Sequence, residues 1–113
     1  MAKDDYHVIL YKILAYLYVQ LKNGEDADPK CLVHDGLLFQ IKQRYWNYIM
    51  ENALKQGLID GITVTRPWGA DAIIGNLEAC QITPAGIEYL CDNSFLEKAK
   101  QFLKEIKEIT PFV

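Results

Sequence analysis

Positive charge is scarce for a protein that would attract nucleic acid over its whole surface. Twelve Lys and Arg stand against fifteen Asp and Glu, a formal net charge of -3 at pH 7, so any attraction to phosphate must come from a local patch. Cysteine is scarce too. Cys31, Cys80 and Cys91 are odd in number, widely spaced and without a C-x-x-C pair. That argues against a disulfide framework and a structural zinc site, and reads as reduced, mostly buried thiols. Long apolar runs are missing as well. Met1-Ala2-Lys3-Asp4-Asp5 lacks the apolar core of a signal peptide, and Val8 to Leu21, interrupted by Lys12, is too short to span a bilayer. The expectation is a cytoplasmic protein with no membrane partner.

The constellations that carry chemistry are absent in their turn. There is no Gly-rich phosphate loop and no H-E-x-x-H, and Gly24-Glu25-Asp26-Ala27-Asp28 lacks the ligand spacing and terminal Glu of a calcium loop. His7 lies between Tyr6 and Val8 on a helical stripe. His34 adjoins Asp35 in a predicted turn, but neighbours in sequence do not have the geometry of a catalytic triad, and a surface histidine near a helix end is the simpler account. The expectation is a protein that is not an enzyme, with no cofactor and no metal.

What is present is a regular succession of elements. A chain of 113 residues, half of them apolar, suffices for one core and is too short for two, so residues 1–113 read as a single domain. Ile9, Leu10, Ile13, Leu14, Leu17 and Leu21 recur at helical spacing and predict a helix from about Asp5 to Lys22, ended by Asn23-Gly24. Asp28-Pro29 opens a second, shorter helix that should end near His34-Asp35-Gly36. Trp46, Ile49, Met50, Ala53 and Leu54 predict a third helix between Lys42 and Gln56, with Gly57-Leu58 as its cap. The period then changes. Ile59, Gly61, Ile62, Thr63, Val64 and Thr65, the turn Arg66-Pro67-Trp68-Gly69, and Ala72-Ile73-Ile74 predict one β-hairpin. Thr83-Pro84 opens a short helix, and Ser94 with Glu97 forms a capping box for a last helix over about 94–110, carrying Phe95, Phe102 and Ile106. Three helices followed by a hairpin bury their apolar faces together if the third helix crosses the first and the hairpin closes the remaining side. The predicted fold is α+β, mostly α, a winged helix-turn-helix with two further helices.

The segment Gln81-Ile82-Thr83-Pro84-Ala85-Gly86-Ile87-Glu88-Tyr89-Leu90 runs into Asn93-Ser94-Phe95-Leu96 and then Ala99-Lys100-Gln101-Phe102-Leu103-Lys104-Glu105-Ile106. Together they resemble the YjcQ-like family of small bacterial and phage-associated winged-helix proteins. The stripe from Tyr6 to Leu17, and Tyr45-Trp46 to Gly57-Leu58-Ile59, are similar to that family's first and third helices. Arg66 to Ala70 and Gly75 to Cys80 depart most from its pattern. The resemblance implies the fold and no particular activity.

On the third helix the apolar stripe leaves Gln43, Arg44, Asn47, Tyr48, Glu51 and Lys55 on the other side. In a helix-turn-helix that side enters the major groove, where Arg reads guanine and Asn or Gln reads adenine. Lys42 and Arg44 at the helix start would meet phosphate, and Arg66 with Trp68 at the wing tip would press on the backbone or minor groove. The candidate DNA-binding residues are thus Lys42, Gln43, Arg44, Asn47, Tyr48, Lys55, Arg66 and Trp68. Double-stranded DNA is the candidate partner, and transcriptional regulation the candidate role. The alternative is a protein-interaction module. Val8, Tyr11, Ala15 and Tyr18 give the first helix a second apolar stripe, to be covered by the last helix of the same chain or by a homodimer partner through helix one or the C-terminal helix.

Overall fold

The computed structural model describes residues 5–92. Helix α1 (Tyr6–Asn23) buries Ile9, Leu10, Ile13, Leu14 and Leu17, together with Tyr11, Ala15, Tyr16 and Gln20. Gly24 closes it in the left-handed region: its N–H bonds the Leu21 carbonyl at 3.1 Å, and the Glu25 N–H reaches back to Gln20 at 2.9 Å. Helix α2 (Pro29–Leu32) starts as the sequence predicts, with the Asp28 carboxylate accepting from the Lys30 N–H at 2.9 Å. It stops earlier than His34. Val33 takes extended backbone, and the Lys30 and Val33 carbonyls accept from Leu37 and Gly36, so a tight turn replaces the next helical turn. Helix α3 (Gln43–Lys55) buries Trp46, Ile49, Met50 and Ala53. Its end repeats the motif of α1, with Gly57 bonding Leu54 at 3.0 Å and Leu58 bonding Ala53 at 3.0 Å.

The single predicted hairpin is instead two short antiparallel ladders. Strands β1 (Ile59–Asp60), β2 (Thr63–Thr65), β3 (Ile73–Gly75) and β4 (Gln81–Ile82) pair as β1 with β4 and β2 with β3. Ile59 faces Ile82 and Asp60 faces Gln81; Thr63 faces Gly75, Val64 faces Ile74 and Thr65 faces Ile73. Gly61 separates the ladders. Its φ of +94° is left-handed, and a Cβ there would collide with the Ala79 carbonyl oxygen, an approach only glycine permits. The other side of the break turns at Asn76, whose amide donates to the Gly61 carbonyl at 3.0 Å. A 3₁₀ turn (Leu77–Ala79) then leads into β4.

Thr83 opens helix α4 (Pro84–Asp92) as its sequence predicts. Its hydroxyl accepts from the Gly86 N–H at 3.0 Å, while its own N–H bonds the Leu58 carbonyl at 3.1 Å. A Cβ on Gly86 would run into that same Leu58 oxygen. The glycine of the Ile82-Thr83-Pro84-Ala85-Gly86 segment is therefore the point where α4 rests on the backbone after α3.

The core forms around α1, which packs against α3, α4 and β4; α3 in turn packs against β1 and β3. Buried polar contacts fix the angles between elements. Trp46 Nε1 donates to the Leu32 carbonyl at 2.6 Å, and the Asp28 N–H donates to the Tyr16 hydroxyl at 2.8 Å. The second stripe of α1 is partly covered by α4: Tyr11 stacks on Tyr89 with ring centroids 5.6 Å apart, and its hydroxyl donates to the Tyr89 carbonyl. The predicted last helix over about 94–110, with Phe95, Phe102 and Ile106, lies outside the described residues. The described chain is α+β, mostly helical, with a small antiparallel hairpin, an arrangement compatible with a winged helix. Among the described residues, no helix is long and apolar enough to cross a membrane.

Candidate nucleic-acid interface

Helix α3 turns its apolar side to α1 and the strands, and its opposite side carries Gln43, Arg44 and Tyr48 into solvent. Lys42 and Lys55 are exposed at its two ends. Lys42 occupies the N-cap position, makes no side-chain cap bond, and is followed by no acidic residue in the first turn. The positive end of the helix dipole has no carboxylate in that turn, the arrangement that favours an anion.

The hairpin of β2 and β3 with the turn between them, the predicted wing, lies beside this face. Its tip closes with the Ala70 N–H on the Pro67 carbonyl at 3.0 Å, and Trp68 there is 104% exposed. A solvent-bathed indole buries none of the area that usually makes tryptophan worth having. Ile73 and Tyr48 are exposed as well.

Asn47 stands apart from the exposed face on which its sequence position places it. It is only 7% exposed, because the returning wing strand lies over that edge of the helix. Its amide donates to the Ala72 carbonyl at 2.9 Å, and its Oδ1 is buried without a hydrogen-bond partner. Asn47 therefore ties the wing to α3 and is withdrawn from any base edge. The other seven candidate residues, Lys42, Gln43, Arg44, Tyr48, Lys55, Arg66 and Trp68, are exposed.

A second tie was not visible from residue spacing. Arg66 Nη2 donates to Glu51 Oε1, and Lys55 Nζ lies 3.6 Å from Glu51 Oε2. The Arg66 hydrogen bond, with the charges of Arg66 and Lys55, holds the Glu51 carboxyl below the usual glutamate range. The Lys55 pair follows from an i,i+4 spacing on one helix. The Arg66 pair needs the wing register, which no local pattern supplies.

Between α3 and the wing, Arg44, Tyr48, Glu51, Arg66 and Asp71 line an open cleft of about 190 Å³. That is smaller than pockets that enclose cofactors, roughly 300 Å³ and above. His34 serves a different purpose. Its Nδ1–H donates to the Ile41 carbonyl at 3.0 Å while the Ile41 N–H donates to the His34 carbonyl at 2.8 Å, clipping the loop before α3; its Nε2 lies 3.8 Å from Asp35. His7 Nδ1 is 3.0 Å from the Tyr89 hydroxyl. Among the described residues, no three His, Cys, Asp or Glu side chains are grouped to hold a metal ion.

Fold and site together define a small α+β protein, mostly helical, whose short hairpin is tied to the third helix beside an exposed face that carries Lys42, Arg44 and Lys55. The family model described as YjcQ protein matches residues 11–109, and the chain belongs to that family. Neither a curated protein nor a solved structure matches the chain.

Proposed function

We propose that this protein is a winged helix-turn-helix of bacterial or phage origin that binds duplex DNA and acts as a transcriptional regulator, by binding and not by chemistry. Helix α3 enters the major groove with Gln43, Arg44 and Tyr48, Lys42 and the uncapped helix start meet a phosphate, and the wing lays Arg66 and Trp68 on the adjacent backbone or minor groove. The observation that carries this reading is the exposed α3 face flanked by Lys42 at one edge and the open wing tip, Trp68, at the other. Four cations (Lys42, Arg44, Lys55, Arg66) lie along that face and its hairpin, among three carboxylates (Glu51 and Asp71, with Asp35 on the cleft beside Lys42), on a chain whose total is -3. The positive charge is local.

Titration of labelled random and genomic duplexes at about 50 mM salt tests the reading, since electrostatic contacts are strongest there. Binding should weaken as salt rises, and Lys42→Ala with Arg44→Ala should flatten the log-log salt slope by about two, one for each phosphate no longer neutralised. No binding at low salt overturns it. A second reading, a protein-interaction module, draws support from the exposed Trp68, Tyr48 and Ile73 on an acidic chain. Its outcome in the same experiments is no DNA binding, with a protein partner lost on Trp68→Ala.

A further inference from the structure

We propose that Glu51 is an internal competitor for phosphate: it holds Arg66 of the wing in the free protein, and full engagement of DNA requires Arg66 to leave it. The proposal rests on the DNA-binding reading above. Glu51 lies three residues beyond Tyr48 and seven beyond Arg44, on the stripe that the groove would receive. A carboxylate at that place repels every nearby phosphate unless a cation covers it.

The ion pairs provide that cover. The Glu51 side chain is 14% exposed, whereas Arg66 and Lys55 are 59% and 67% exposed. The two cations shield the carboxylate and turn their outer sides to solvent, where a phosphate would arrive. The carboxylate stays covered while Arg66 stays with it. A phosphate that takes Arg66 only exchanges one anionic partner of the guanidinium for another, and it leaves Glu51 to Lys55 alone. Arg66 then adds little to the affinity for random-sequence DNA, although it lies at the interface. Asn47 permits the exchange without release of the wing, because its bond to the Ala72 carbonyl holds the other side of the hairpin.

Glu51→Gln separates charge from shape, since the amide keeps an oxygen for Arg66 and removes the negative charge. The expected result is random duplex bound about tenfold more tightly at about 100 mM salt, with a log-log salt slope steeper by about one. Arg66→Ala should cost little in the wild-type background, where Lys55 still covers Glu51, and cancel most of the gain in the Glu51→Gln background, a non-additivity that bulk charge would not produce. Unchanged or weaker binding by Glu51→Gln overturns the proposal, as does an equal gain with and without Arg66. If wild type and variant both fail to bind, the DNA-binding reading falls and the competitor role with it. If wild type binds and Glu51→Gln gives no gain, only the competitor role falls.

Discussion

Trp46 and Trp68 mark the two extremes available to one residue type. Trp46 is buried and donates its indole N–H to the Leu32 carbonyl, whereas Trp68 is open to water on all sides. Replacing Trp46 with Phe leaves that carbonyl unpaired and should lower the unfolding free energy by about 1–3 kcal/mol. Trp68→Ala should shift it by no more than about 0.5 kcal/mol. Urea denaturation of the two variants checks both values. Asn47→Ala loses the bond to Ala72 but also removes a buried, unpartnered oxygen. Its cost should fall near the low end, about 1 kcal/mol, with faster amide exchange confined to the wing. The thiols divide in the same way. Burial pushes Cys80 up to about 12 and raises Cys31, while Cys91 is exposed on α4. The thiolate is the reactive form, so a thiol reagent at neutral pH should modify one cysteine of the folded chain and all three after denaturation.

At the scale of the element, Gly86→Ala is the sharpest test of how α4 is seated. The added methyl would drive against the Leu58 carbonyl, and overpacking of that kind costs about 1–3 kcal/mol. An unfolding curve superposable on wild type would show that α4 does not rest there. The helices that carry stripes or caps were legible in the sequence because their signals are local: Asp28-Pro29, Gly57-Leu58 and Thr83-Pro84 each do what their chemistry dictates. The strand region was legible only in part. Ile59 to Thr65 has the composition of one strand, yet Gly61 divides it, since the Ala79 carbonyl leaves no room for a side chain there. The pairing of β1 with β4 joins residues more than twenty positions apart, and no periodicity announces it. Asn47 failed as a candidate base reader for the same reason: helical spacing sets its direction on α3, and only the wing register decides what lies over it.

At the scale of the whole molecule, the stability should respond to acid and alkali for different reasons. Glu51 is held below the ordinary glutamate range, so its contribution is present at neutral pH and lost as pH falls through that lowered value. The pair is near the surface and screened, so the acid response should be slight and absent in Glu51→Gln. The alkaline response has the opposite sign and an interior origin. Cys80 rises from 9.0 to about 12 and Tyr11 from 10.0 to about 12, both chiefly by burial, and burial raises Tyr16 as well. Each is held protonated in the fold and would release its proton at the ordinary value in the unfolded chain. Above about pH 9 the unfolded state therefore binds fewer protons than the folded state, and stability falls as pH rises until the folded values are reached. Urea midpoints should hold level from about pH 7 to 8 and then decline steadily, with tyrosinate absorbance from the buried rings appearing together with unfolding. Cys80→Ala should remove the earliest part of the decline. A midpoint independent of alkali would mean that these groups already reach water in the folded protein, and that the core around α1 is looser than its packing requires.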